Sequence, residues 1–222
     1  MMSSLPVSCP EWHDQTRTSE EKLVFMRLYK RVIEVDSSKS VTPSAVTEWH
    51  GIAFKPCVPV PYYAGNTRQD DASRPCLMQN VAVRVWSGSV PITLMQGLHF
   101  QKVPSNLRSV LEEGTKKISD YQKAYPKMNP DQKVRTLALI TAQTVGRFNT
   151  IHPFLNGNGR MGRLILKAYC ARFGIHTRMP SYARPTPNDV YCQAMSDASK
   201  GNPAALAALL IASMYEASTK SK

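Results

Sequence analysis

The sequence predicts a mainly α protein with one small β element. Three observations carry that expectation. Apolar residues recur at three- and four-residue intervals through most of the second half of the chain. Helix start and stop signals bracket those runs: Pro104/Ser105, Pro130/Asp131 and a closing Gly174. Only residues 81–95 combine alternation with β-branched side chains.

Residues 1–18 are polar and contain proline, the composition of a loosely held arm. "TSEEKLVFMRLYKRVIE" (18–34) opens on a Thr18/Ser19 and Glu21 capping pattern and spaces Leu23, Met26, Tyr29 and Ile33 as one face of a helix. A loop at 35–44 leads to a short helix at 43–54 with Ser44 as the expected cap. Prolines and polar residues from Lys55 to Asn80 forbid a regular assignment. "VAVRVW" (81–86) and "SVPITLM" (89–95) form a hairpin, provided that Pro91 sits on an edge.

Helices follow. Residues 104–125 put Leu107, Val110, Leu111 and Ile118 on one face, and 129–151 does the same with Val134, Leu137, Thr141, Val145 and Phe148. Residues 160–174 end on Gly174 as a C-cap, and 187–201 and 202–217 supply two more helices. The expected division is an N-terminal arm and helix (1–43), a core (44–217) and a short basic tail (218–222).

The formal charge is +12, from 28 basic and 16 acidic residues. The basic residues are scattered, with "RLYKR" (27–31) the densest group, so the excess fits a basic face and an anionic small-molecule site rather than nucleic acid. The five cysteines are odd in number and form no CxxC, which argues against a disulfide framework and a zinc site and for a reducing, cytoplasmic setting. Cys170 lies in an apolar helical pattern, as a small core residue would. No apolar run approaches the length of a membrane span, and no secretory signal pattern opens the chain. Delivery into a host or rival cell by a route that reads no such signal stays open.

The chemistry concentrates in "HPFLNGNGRMGR" (152–163). "NGNG" lies between two strong helical runs, where the second helix begins. Its first N–H groups lack intrahelical acceptors and carry the positive end of the helix dipole, and glycines let a ligand come close. That combination is a cradle for phosphate. Arg160 and Arg163, three apart, share a face just inside it and can fork onto phosphate oxygens. His152, before the turn, is the one side chain there able to accept a proton near neutrality. Phe154 anchors the loop to the core.

The string resembles the signature of the Fic family, HPFx(D/E)GNGR, and departs from it only at Asn156. "EWHGIAF…YYAGNTR" (48–68) is similar to the family's upstream H…F…aGxxR stretch, "HFQKVPSNLRSVLEEG" (99–114) to the segment leading into its core helices, and "VYCQAM…KGNPAALAALL" (190–210) to its closing helix pair. The resemblance implies a Fic-type helical bundle with a β-hairpin flap within 65–95. It implies transfer of AMP from ATP, with Mg²⁺, to a Ser, Thr or Tyr hydroxyl of a target protein that docks on the flap as an added strand. In that reading His152 is the base, and Gly157, Asn158 and Gly159 form the anion hole with Phe154 in the nucleotide site. Arg160 holds the terminal phosphates with Arg163 assisting, and Asn156 stands at the metal position. Glycine at 159 favours AMP transfer, where family members with lysine transfer phosphate.

Asparagine at 156 offers an amide oxygen without carboxylate charge, so weaker Mg²⁺ binding is expected in the absence of nucleotide. The alternatives are a nucleotide- or protein-binding module without turnover, or transfer of a different moiety. "SVLEEG" (109–114) fits the family's inhibitory (S/T)xxxE(G/N) string through Ser109 and Glu113, but falls inside a core-helix segment. The chain is therefore expected to lack inhibition in cis. It would depend on a partner antitoxin or on delivery elsewhere, as a toxin or effector does.

Overall fold

The computed structural model describes residues 8–12, 19–87, 90–177 and 190–219, without the side chains of 19–21, 84–87, 90–94 and 215–219. Seven α-helices and one two-stranded antiparallel sheet are present among them. The helices are α1 (Ser19–Glu34), α2 (Pro43–Phe54), α3 (Val103–Ala124), α4 (Pro130–Ile151), α5 (Asn158–Ala171), α6 (Val190–Ser199) and α7 (Ala204–Thr219).

α4 and α5 form the centre. α4 starts on a reciprocal capping box: Asn129 Oδ1 accepts from the Gln132 N–H at 2.9 Å, and Gln132 Oε1 from the Asn129 N–H at 3.1 Å. Its inner face buries Leu137, Thr141, Val145 and Phe148 as the periodicity requires, with Val134 only partly covered. α3, α6 and α7 pack on α4. At Gly146 a Cβ would stand 2.5 Å from the Ala198 carbonyl oxygen, so only glycine lets α6 approach this closely. α5 is buried on every side from Arg160 to Cys170, and its sequence is correspondingly apolar around most of its circumference. The exceptions, Arg160, Arg163 and Lys167, are all buried and recur at helical spacing. Burying three cations costs free energy unless polar partners compensate. Lys167 donates to the Thr177 carbonyl and lies over the Tyr29 ring, and burial lowers its pKa to about 8.

α1 forms where expected but is turned about its axis. Phe25, Leu28 and Val32 face α2 and α5, whereas Leu23 and Met26 are exposed. The stretch carries apolar residues at both spacings, so periodicity alone does not choose the stripe; the packing partners do. α2 is capped by Thr42, not Ser44. Thr42 Oγ1 accepts from the Ala45 N–H at 3.2 Å, with Pro43 in the first helical position. The proline-rich 55–80 stretch folds into three short 3₁₀ turns, at Lys55–Cys57, Pro61–Tyr63 and Pro75–Leu77. The hairpin pairs β1 (Ala82–Ser87) with β2 (Val90–Gln96), Pro91 opposite Trp86. A two-stranded sheet has only edge strands, which is what admits the proline.

The expectation that no cysteines pair is corrected here. Cys9 and Cys76 form a disulfide, with Cα atoms 5.5 Å apart. Counting missed it because one bridge and three free thiols also add to an odd number. Cys170 is buried as expected, and burial pushes its thiol up to about 12. The expectation of a loose arm is corrected in part. Residues 8–12 are held by the bridge, by the Tyr63 hydroxyl donating to the Pro10 carbonyl, and by Trp12 packed into the core. The rest of 1–18 lies outside the described residues, as do 178–189 and the end of the tail.

The bridge closes a sequence separation of 67 residues. Cys76→Ser is expected to lower the unfolding free energy of the oxidised protein by about 2–4 kcal/mol. Chemical denaturation under non-reducing conditions measures this, and unchanged stability would remove the bridge from the account of the fold.

Candidate active site

The loop joining α4 to α5 runs from His152 to Gly157. α4 ends because His152 adopts the left-handed conformation, at φ 52° and ψ 61°. It is the one non-glycine residue with positive φ among the described residues. Its N–H still donates to the Phe148 carbonyl, and the left-handed step turns the chain away from the helix axis.

Arg68 fixes that turn. It is fully buried; Nε donates to the His152 carbonyl and Nη2 to the Ile151 carbonyl, both at 2.8 Å, and Nη1 to the Gln79 carbonyl at 3.0 Å. Its own N–H donates to the Pro153 carbonyl at 2.8 Å. Burial lowers the guanidinium pKa to about 10, which leaves it charged at neutrality. One side chain thus joins the end of α4 to the approach to β1. At the other foot of the hairpin, a Cβ on Gly97 would lie 2.9 Å from the Val81 carbonyl oxygen and 3.3 Å from both Arg68 Nη2 and the His152 Cβ. The foot of the flap therefore sits directly against the histidine.

The His152 ring is partly buried, and Nδ1 lies 3.3 Å from the Asn149 carbonyl. A carbonyl only accepts, so Nδ1 carries the hydrogen and the lone pair is on Nε2. Burial lowers the pKa to about 4; the Asn149 contact opposes this and the Arg68 charge adds to it. The ring is a neutral base at pH 7.

The loop's second half is clamped from below. His50, fully buried, accepts from the Gly65 N–H at Nδ1 (2.9 Å) and so donates from Nε2 to the Asn156 carbonyl (3.0 Å). It stacks on the buried Phe154 ring at 3.8 Å between centroids, and burial lowers its pKa to about 3. Asn158, also buried, closes the loop with both amide atoms: Oδ1 accepts from the Phe154 N–H at 2.9 Å, and Nδ2 donates to the Phe154 carbonyl at 2.8 Å. The Asn158 side chain thus closes on the loop itself, and the Phe154 ring packs on His50 of α2. Gly157 sits at φ 81° as the N-cap of α5, and a Cβ there would lie 2.4 Å from the Phe54 ring. Only glycine satisfies both conditions.

Asn156 is engaged at both ends. Its Oδ1 accepts from the Gly157 N–H at 2.6 Å, and its Nδ2 donates to the Trp12 carbonyl at 3.0 Å. Gly159 is exposed, and a Cβ on it would meet Arg163 Nη1 at 3.6 Å. Arg160 lies over the Phe54 ring at 4.4 Å. The structure therefore brings His152, Gly157, Gly159, Arg160 and Arg163 to one loop and one helix start. Arg68, His50, Phe54, Gly97 and Trp12 complete it. Of these, all but Trp12 and Gly97 lie within the 48–68 string, but no role for them is readable from spacing. Glu113 belongs elsewhere: its carboxylate pairs with Lys117 and Arg147 across α3 and α4, and those hydrogen bonds lower its pKa to about 2. A groove of about 630 Å³ between the start of α2, α3 and Arg172 shares no residue with the loop.

Fold and site together define a helical protein whose central helix starts at a glycine-rich turn, with two buried arginines, beside a neutral histidine. The chain belongs to the Fic/DOC family, whose sequence model matches residues 40–170. Members of that family are typically transferases that move AMP or other nucleotide moieties onto proteins. Among solved structures it resembles the BepC effector of Bartonella tribocorum, solved with bound AMPPNP, at 12% identity and a TM-score of 0.56 over 87% of this chain and 84% of that one. The N-terminal FIC domain of Bep8 from Bartonella sp. 1-1C is similar at 14% identity and a TM-score of 0.55, covering 95% and 93%. A Fic family protein from Desulfovibrio desulfuricans G20 is similar at 16% and 0.54, covering 91% of this chain and 54% of that one. No curated protein sequence matches the chain. The mainly α bundle with a small hairpin is the Fic fold.

His50 and His152 titrate at about 3 and about 4 in the fold, against 6.5 when unperturbed. Between those values the unfolded chain binds more protons than the folded one, so stability is fully present above pH 6.5 and falls as pH drops below it. His50→Gln keeps a donor and an acceptor without the proton uptake. The variant is expected to show a shallower loss of stability between pH 6.5 and 4.5, measured by denaturant unfolding at stepped pH. An identical slope would mean that His50 does not report its burial.

Proposed function

We propose that this chain is a protein adenylyltransferase, which moves AMP from ATP to the hydroxyl of a Ser, Thr or Tyr residue in a target protein. The observation that carries the reading is the left-handed turn at His152. It sets a neutral imidazole, with its hydrogen on Nδ1, one short loop away from a glycine-rich helix start backed by two buried arginines. In this reading the N–H groups at the start of α5 receive phosphate oxygens, Arg160 holds the terminal phosphates and Arg163 assists. The target hydroxyl oxygen attacks the α-phosphorus while Nε2 of His152 takes its proton. The bond to the bridging oxygen breaks, and pyrophosphate leaves. A base so placed contributes about 10²–10⁴-fold.

The hairpin supports docking of a target segment. Both strands are edges, and an extended peptide pairing with one of them through main-chain hydrogen bonds would run toward the foot at Gly97, beside the histidine. Main-chain pairing leaves side-chain selectivity loose. Mg²⁺ finds no preformed site: no cluster of three or more His, Cys, Asp or Glu side chains occurs among the described residues, and the Asn156 oxygen already accepts a hydrogen bond. The ion would arrive on the nucleotide, and no step is assigned to it. Asn156 also favours a second reading, a module that binds nucleotide or a protein without turnover. Glu113 is engaged by Arg147 and Lys117, away from the loop, which is compatible with our reading of a toxin or effector restrained by a partner antitoxin or by delivery.

Incubation with a cell lysate and ATP labelled at either the α- or the γ-phosphate separates the readings. Label from α alone is the expected result; label from γ alone would mean phosphate transfer, and none from either would favour the module. His152→Ala is expected to abolish transfer while ATP affinity, measured by calorimetry, stays within about twofold. A variant that retained most of its rate would overturn the assignment of the base. Asn156→Asp is expected to lower the Mg²⁺ concentration for half-maximal transfer, and an unchanged titration would show that this side chain does not reach the metal.

A further inference from the structure

Residues Cys9 to Trp12 lie against the active-site loop, and nothing in the reaction above uses them. We propose that this segment is a redox-released strap that holds the phosphate cradle closed while the Cys9–Cys76 bridge is intact. The inference rests on reading the start of α5 as a phosphate site.

The contacts run in one line. The bridge fixes Cys9 to the 3₁₀ turn at Pro75–Leu77, and Tyr63 holds the Pro10 carbonyl. Trp12 then packs edge-on against Phe54, at 5.2 Å between centroids, and against His50, at 5.9 Å. These are the two rings on which Gly157 and the Asn156 carbonyl rest. The Trp12 carbonyl takes the Asn156 amide hydrogen, and that orientation turns Oδ1 onto the Gly157 N–H. The Gly157 N–H is one that an anion in the cradle would need. Strap, Asn156 and Gly157 thus form a short chain of hydrogen bonds whose last member competes with the ligand.

Opening the bridge breaks one S–S bond. A dithiol reductant supplies two electrons and two protons, leaves as its own disulfide, and two cysteine thiols remain. The strap then keeps its Tyr63, His50 and Phe54 contacts without the covalent tether, so it leaves the loop more readily, Asn156 rotates away, and the Gly157 N–H faces the cradle. A chain passing from an oxidising to a reducing compartment would change state in this way.

The test is ATP binding by calorimetry to the full-length oxidised protein and to the same protein reduced with dithiothreitol. The Cys9→Ser/Cys76→Ser double variant and Asn156→Ala are measured alongside, with circular dichroism as the check on folding. Reduced wild type and the double variant are expected to bind about fivefold more tightly than oxidised wild type, the effect of one hydrogen bond no longer competing. Asn156→Ala is expected to bind tightly whether oxidised or reduced. In amide hydrogen exchange the Gly157 N–H is expected to exchange faster once the protein is reduced. Equal affinity in both redox states, or tighter binding by the oxidised form, overturns the strap and leaves the cradle standing. Failure of every form to bind ATP overturns both.

Discussion

The guanidinium of Arg68 is the contact on which the site depends. It is a full charge buried with carbonyl dipoles as its partners, and those carbonyls come from three places: the last residue of α4, the left-handed residue after it and the approach to β1. Such an arrangement tolerates little movement, because a buried donor that loses its acceptor forfeits its solvation as well. Ile151 and His152 offer their carbonyls in one direction only if α4 stops where it does. The same charge therefore ends the helix, orients the imidazole and holds the hairpin against it. The flap is not an appendage placed near the site; its foot is part of the site.

Around that contact the loop satisfies itself. Asn158 closes it from within, and His50 ties it to α2 and to the turn at Gly65. Two histidines serve opposite ends of one loop, His50 fully buried and His152 partly so, and their hydrogen bonds set them apart. His50 has both nitrogens engaged and is a strut. His152 has Nδ1 engaged by the Asn149 carbonyl and, among the described residues, no hydrogen bond at Nε2. Burial keeps both neutral, because a charged ring would lose hydration that the backbone carbonyls beside it do not replace.

The helices of the second half were legible because their periodic faces are long and their caps conventional. Asn129 with Gln132 and the stripe from Leu137 to Phe148 are local features that need no tertiary information. The candidate site was legible for the same reason: its glycines, arginines and histidine fall within twelve consecutive residues, which the fold brings to one loop and one helix start. What holds the cradle was not. Arg68 meets Ile151 across 83 residues, His50 meets Asn156 across 106, and Asn156 meets Trp12 across 144. No spacing rule links positions so far apart. The rotation of α1 failed at a smaller scale, where two apolar stripes satisfied the same period and α2 and α5 selected one. Pairing of Cys9 with Cys76 was hidden because a count of thiols carries no distances.

Asparagine at 156 changes the electrostatics of the loop more than its shape. An amide has the outline of a carboxylate, and here it keeps the oxygen against the Gly157 N–H. What is lost is one negative charge beside Arg160 and Arg163, close to the positive end of α5 and in a chain of formal charge +12. A carboxylate in that position would neutralise part of this field and could supply charge to a divalent cation. Without it the field stays positive, and in the proposed reading the arginines and main-chain N–H groups would face a polyphosphate directly. In that reading the departure would shift charge compensation toward the helix start and its two arginines. The Gly157 N–H at that helix start is the one the Asn156 amide oxygen accepts from, so the substituted side chain still caps the loop that it belongs to.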